Sequence, residues 1–109
     1  MKVRRKARAL ALQVLFEVDS VEHPVDDALQ HRIAAAREED EAAGREPLNA
    51  EGEAFCKNLV RGVLQNCAEL DGLIGKFAPD YPVDQLAIID RNILRLAFFE
   101  LKNIQSREG

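Results

Sequence analysis

The stretch PVDQLAIIDRNILRLAFFELKN, from Pro82 to Asn103, constrains this chain more than any other. Turning it through about 100° per residue places Asp84, Arg91, Arg95 and Lys102 on one narrow stripe. Leu86, Ile89, Ile93, Leu96, Ala97, Leu101 and Ile104 fall on the opposite side, with Ala87 and Leu94 beside them. So wide an apolar arc belongs to a helix buried over most of its circumference. At about 1.5 Å per residue it would run roughly 30 Å, the width of a small domain. The pattern predicts a central helix over 82–103 against which the other helices pack. Asp90 and Glu100 interrupt the arc, and a buried carboxylate needs a partner. Two readings of Asp90 stand open: an internal salt bridge, or a polar contact held out to a protein partner.

A chain of 109 residues, 47% hydrophobic and 31% charged, suits one soluble globular domain with a single core, spanning 1–109. It has no apolar run of 18 or more residues, so no membrane span is expected. Gln13, Glu17 and Asp19 interrupt the segment after the basic N-terminus, which argues against a signal peptide. Cys56 and Cys67 would lie about 16 Å apart along one helix, too far for a disulfide. Two free thiols in a reducing, cytoplasmic setting are expected.

Charge is unevenly distributed. Lys2, Arg4, Arg5, Lys6 and Arg8 crowd the first eight residues with no acid among them. From Glu17 to Glu53, twelve acids face only Arg32, Arg37 and Arg45. An acidic chain with one concentrated basic end suits a localised anionic partner better than general adhesion to nucleic acid or membrane.

In chain order, Val3 to Val18 reads as a first helix, since Val3, Ala7, Leu10, Val14 and Val18 repeat at spacings of three and four. Its cations sit where the helix dipole disfavours them, so local stability does not account for them. An arginine-rich helix start reads as a phosphate-binding arm, with a solvated, frayed end as the bland alternative. Residues 1–19 therefore form the basic arm and first helix. Pro24 suits the first position of a second helix, with Val25, Ala28, Leu29, Ile33 and Ala36 on its apolar face. The period is lost over 37–49, which reads as a fraying helix end and a mobile, solubilising loop. Asn49 is a good N-cap for a third helix to about Cys67, built on Phe55, Leu59, Val60, Val63 and Leu64. A short fourth helix carries Leu70, Leu73, Ile74 and Phe77, and Ala78-Pro79-Asp80-Tyr81-Pro82 breaks the chain before the central helix. Nothing reads as a strand.

The search for catalytic chemistry is mostly negative. No glycine-rich phosphate loop, zinc spacing or nucleophile elbow occurs. His23 and His31 have no cysteine or further histidine at ligand spacing, so no metal site is expected. A thiol–imidazole pair from Cys56 or Cys67 with either histidine has nothing to support it. The chain is expected to be no enzyme and to need no cofactor.

Together these pieces resemble a family. RRKARALALQVLFEVD, Arg4 to Asp19, is similar to the N-terminal arm and first helix of the bacterial NusB antitermination proteins. The tokens LVRGV, ELDGLI, APDYP and DRNILRLAFFEL, within Ala54 to Leu101, resemble the central three helices of that family in order and spacing. The resemblance implies an all-α, NusB-like helical bundle of about five helices without enzymatic activity. It implies an RNA-binding transcription antitermination factor that pairs with NusE, also a small-subunit ribosomal protein. That pair binds boxA RNA of ribosomal leader transcripts within an antitermination complex on RNA polymerase. By the same resemblance the RNA-binding arm maps onto Lys2, Arg4, Arg5, Lys6 and Arg8. Phe16 stands where the family often has tyrosine, near the partner and RNA surfaces, and Asp90 matches an acidic position facing NusE. Members continue with two more helices, bearing INEAVELAK-like and FVNGVL-like stretches, and neither stretch occurs here. An uncovered central helix is then expected to favour self-association into a homodimer. Two other functions remain consistent with the residues: the NusB-like RNA-binding domain of a ribosomal RNA cytosine methyltransferase, and a helical interaction module without RNA binding.

Overall fold

A computed structural model of the chain describes residues 2–80 and 82–108, with side chains over 3–80 and 82–104. The described residues are all-α. Five helices, α1 (Lys2–Val21), α2 (Val25–Ala42), α3 (Ala50–Gln65), α4 (Cys67–Phe77) and α5 (Ile88–Glu108), are joined by short connections. One 3-10 turn, Val83–Gln85, precedes α5. Backbone contacts divide the chain into two units, Met1–Val60 and Arg61–Gly109, with the division falling inside α3.

In the first unit α1 packs against α2. Ala7, Leu10, Ala11, Val14 and Leu15 are buried along α1 at the three-and-four spacing its sequence predicts. Ala28, Leu29 and Ile33 answer from α2, and Leu48, Cys56, Leu59 and Val60 complete the buried set. Pro24 caps α2 rather than opening it, and Asp26 and Asp27 in the first turn suit the positive end of the helix dipole. Asn49 caps α3 as expected, its Oδ1 accepting from the Gly52 amide at 2.8 Å.

The expected loop over 37–49 is helical for its first six residues. Glu38, Glu39 and Glu41 lose the apolar period, yet Glu and Ala are good helix formers, so α2 continues to Ala42. It ends in a Schellman motif: Gly44 takes φ +71°, the Gly44 amide donates to the Glu41 carbonyl and the Arg45 amide to that of Asp40. Beyond it the backbone is tied at Glu46, whose carbonyl accepts from Lys6 Nζ at 2.8 Å, and at Leu48, whose carbonyl accepts from Arg37 Nε at 3.1 Å.

In the second unit α4 packs against α5. Leu70 and Ile74 are buried on α4, and Arg95 of α5 grips Asp71 with two hydrogen bonds of 2.7 Å. Lys102 donates to Glu69, two residues earlier on α4. Phe77, expected in the buried stripe of α4, is exposed on one side and stacks on Phe98 with ring centroids 5.9 Å apart.

The central helix over 82–103 needs correcting at both ends and in its orientation. Residues 83–85 close a 3-10 turn and Leu86 turns extended (φ −73°, ψ 149°), so α5 starts only at Ile88. No glycine or proline marks that break, and the consecutive apolar residues Leu86 to Ile89 hide it from a periodicity count. Nothing between Asn103 and Glu108 stops the helix, which therefore outruns its expected end. Arg95 and Lys102 of the narrow polar stripe face α4. Of α5, only Asn92 and Leu96 are buried among the described side chains, while Ile89, Ile93, Leu101 and Ile104 are between 39% and 55% exposed.

Candidate nucleic-acid interface

The basic arm is the first two turns of α1, and the structure sorts its cations into different roles. Arg4 and Arg8, four residues apart, lie one above the other on one helical face. That face meets the first turns of α3, where the Phe55 ring receives both: the Arg4 guanidinium carbon lies 4.8 Å from the ring centroid and that of Arg8 5.5 Å. Each contact contributes about 0.5–1 kcal/mol at an exposed site, comparable to the roughly 0.3–1 kcal/mol that a cation loses at a helix N-terminus. The ring thus offsets the unfavourable electrostatics of placing arginines there. Glu53, two residues before Phe55, is engaged elsewhere, by Lys57 at 2.9 Å and Arg37 at 2.7 Å. Its carboxyl is held below the usual range by the hydrogen bonds from Lys57 and then Arg37.

Lys6 points differently. Its Nζ donates to Asp40 Oδ2 at 2.7 Å as well as to the Glu46 carbonyl, which joins α1 to the end of α2. Asp40 is only 6% exposed and also accepts from Arg45 Nε at 3.0 Å. Lys6, then Arg45, hold its carboxyl below the usual carboxylate range. Of the five arm residues expected to meet RNA, Lys6 is thus already committed to an internal ion pair. Arg5 is exposed, beside an open groove of about 640 Å³ lined in part by Val3, Ala9, Pro47 and Leu48. The Lys2 side chain lies outside the described residues.

Phe16 is exposed on α1, on the same face as Arg5 and about 16 Å further along the axis. Its carbonyl accepts from the Ser20 hydroxyl at 2.6 Å. Asp90 is exposed in the first turn of α5 and has no ion-pair partner among the described residues. The internal-salt-bridge reading of Asp90 is therefore set aside. The polar residue that α5 does bury is Asn92, 1% exposed, whose Nδ2 donates to the Ile88 carbonyl at 2.9 Å.

Two residues of this region escape sequence reasoning. Phe55 reads as an ordinary member of an apolar helix face, and no local signal couples it to arginines some fifty positions earlier. Asp40 sits in an acidic run that looks uniformly solvated. Cys56 is not poised as a nucleophile, since burial pushes its thiol up to about 11, and neither Cys56 nor Cys67 forms a disulfide. Among the described residues no group of three or more histidine, cysteine, aspartate or glutamate side chains could hold a metal ion, and no helix is long and apolar enough to cross a membrane.

Comparison with known proteins adds to this geometry. The sequence pattern of the NusB family matches residues 5–108. The chain is 41% identical over 98 residues to the transcription antitermination protein NusB of Roseiflexus castenholzii, covering 90% of this chain and 62% of that protein. Against NusB of Chloroflexus aggregans it is 38% identical, covering 90% and 59%, and against that of Symbiobacterium thermophilum 41%, covering 90% and 63%. It spans about three fifths of the length of these curated relatives. A chain in the crystal structure of a plectonemic RNA supercoil superposes with a TM-score of 0.76 at 26% identity, over 99% of this chain and 72% of the other.

Proposed function

Because this chain belongs to the NusB family, we propose that it is an RNA-binding transcription antitermination factor, without enzymatic activity of its own, acting in the cytoplasm. The arm at the start of α1 binds the phosphates of boxA-type leader RNA. Exposed Phe16 and Asp90 serve the pairing with NusE within the antitermination complex on RNA polymerase. The single observation that carries this reading is the placement of Arg4 and Arg8 together on Phe55, at a helix end where their charge has no local benefit. Arg5, exposed beside them, adds a third cation to the same end. The exposed apolar row of α5 supports self-association of the 109-residue chain.

Titration of a boxA RNA by fluorescence anisotropy at several salt concentrations tests the proposal. Replacing Arg4, Arg5 and Arg8 by alanine should weaken binding and lower the log–log salt slope by about 2, at roughly 0.7 per phosphate contact on a single strand. Circular dichroism of the variant should remain that of the parent. Asp90→Lys should weaken NusE binding while leaving RNA binding by the isolated protein unchanged, because a reversed interface charge replaces attraction by repulsion. An unaltered salt slope in the arginine variant removes the arm from the RNA surface.

A further inference from the structure

We propose that Phe55 is a positioning residue for RNA: its ring holds Arg4 and Arg8 side by side as a paired clamp for consecutive phosphates of a single strand. The inference rests on the reading of the arm as an RNA-binding element and adds to it a residue from another helix. Arginine side chains at an exposed helix end have many rotamers, and binding must restrict them. Two guanidinium groups four residues apart also repel one another. The negative face of an aromatic ring relieves both difficulties at once, since it attracts each cation and narrows its conformations before RNA arrives. Both guanidinium carbons lie within 6 Å of the Phe55 centroid, at 4.8 and 5.5 Å. Four residues of helix separate their origins by about 6 Å along the axis, the scale of one nucleotide step.

Phe55 is only half-buried. It is therefore not committed to the core as its neighbours Cys56, Leu59 and Val60 are. Arg4 has no hydrogen-bond or ion-pair partner among the described residues, so stacking on the ring leaves its five N–H donors available. Lys6, two residues on, is drawn away by Asp40. Arg4 on Phe55 thus stands apart from Lys6, the structural cation of the same arm.

The test uses the full 109-residue chain and a fluorescein-labelled, unstructured single-stranded RNA oligonucleotide, titrated at several salt concentrations. Phe55→Leu keeps an apolar side chain of similar reach and removes the π face. It should weaken binding about three- to tenfold, while Phe55→Tyr should restore parental affinity. By NMR, the Arg4 and Arg8 side-chain protons should show upfield ring-current shifts in the parent and in Phe55→Tyr, and lose them in Phe55→Leu. Arg4→Ala and Arg8→Ala serve as reference variants. If both weaken binding while Phe55→Leu binds like the parent, the positioning role is overturned and the arm keeps its function. If neither arginine variant changes binding, the underlying reading fails and the clamp with it. A loss in Phe55→Leu that accompanies a lowered melting temperature and is not rescued by tyrosine marks Phe55 as structural, and likewise overturns the proposal.

Discussion

Gly62, in the last turns of α3, shows how one missing side chain can shape a packed contact. A methyl group added there would run into the ring of Phe99 on α5. Glycine inside a helix costs about 0.5–1 kcal/mol relative to alanine, so the substitution would be favourable on propensity alone. Overpacking against a ring costs about 1–3 kcal/mol, which outweighs it. Gly62→Ala should therefore destabilise the protein by about 1–2 kcal/mol. Gly72→Ala in α4, where nothing lies within 4 Å of the added carbon, should instead stabilise by about 0.5–1 kcal/mol. Urea titrations of the two variants check this, and equal shifts would mean the Phe99 contact is not formed. The sequence shows that both glycines lie in helices. Which of them touches an aromatic ring thirty-seven positions away lies beyond any local pattern.

At the scale of elements, the first unit depends on carboxylates that fasten one helix to another. Asp40 links the end of α2 to Lys6 of α1, and Glu17 of α1 accepts from Arg32 of α2 at 2.8 Å and pairs with His23 at 3.0 Å. Lys6 and then Arg45 depress the pKa of Asp40; His23 and then Arg32 depress that of Glu17. A carboxylate whose folded pKa lies below its unfolded value stabilises the fold above that unfolded value. The contribution is lost as pH falls through the folded pKa. Unfolded aspartate and glutamate titrate near 3.9 and 4.3, so melting temperature should hold from neutral pH to about 5 and fall steadily below about 4. Asp40→Asn should lower the midpoint at neutral pH and flatten the acid limb. Melts by circular dichroism from pH 7 to pH 3 test it, and parallel curves for parent and variant would count against Asp40 as a fastening. The paired role of Asp40 was illegible in the sequence because its partner Lys6 is 34 positions away and its neighbours Glu38, Glu39 and Glu41 are exposed.

For the molecule as a whole, the exposed row of Ile89, Ile93, Leu101 and Ile104 on α5 has the largest consequence. At about 25 cal/mol per Å² of apolar surface, covering several such side chains is worth several kcal/mol, a large part of the 5–15 kcal/mol that holds a domain together. The 109-residue chain should associate through this helix, with a melting midpoint that rises with protein concentration. Sedimentation velocity across a hundredfold concentration range checks this, and a monomer throughout with a constant midpoint would rule it out. Ile93→Glu, on the exposed row, should shift the equilibrium to monomer without loss of helicity.

The sequence alone determined the all-α class, the order of the five helices, though not the ends of α5, and the buried register of α1. Spacings of three and four residues and capping by Asn49 are local properties, readable within one or two turns. It also carried the resemblance on which family membership was expected, through tokens such as DRNILRLAFFEL. Tertiary structure decided which face of α5 is covered, because an apolar stripe states what a helix can bury and not what lies opposite. The polar stripe holding Arg95 and Lys102 named no partner for that reason, and Asp71 and Glu69 only come into reach once α4 folds back against α5. The pairing of Arg4 and Arg8 with Phe55 was decided in the same way: α1 supplies the charges and α3 the ring, and only packing brings them within 6 Å.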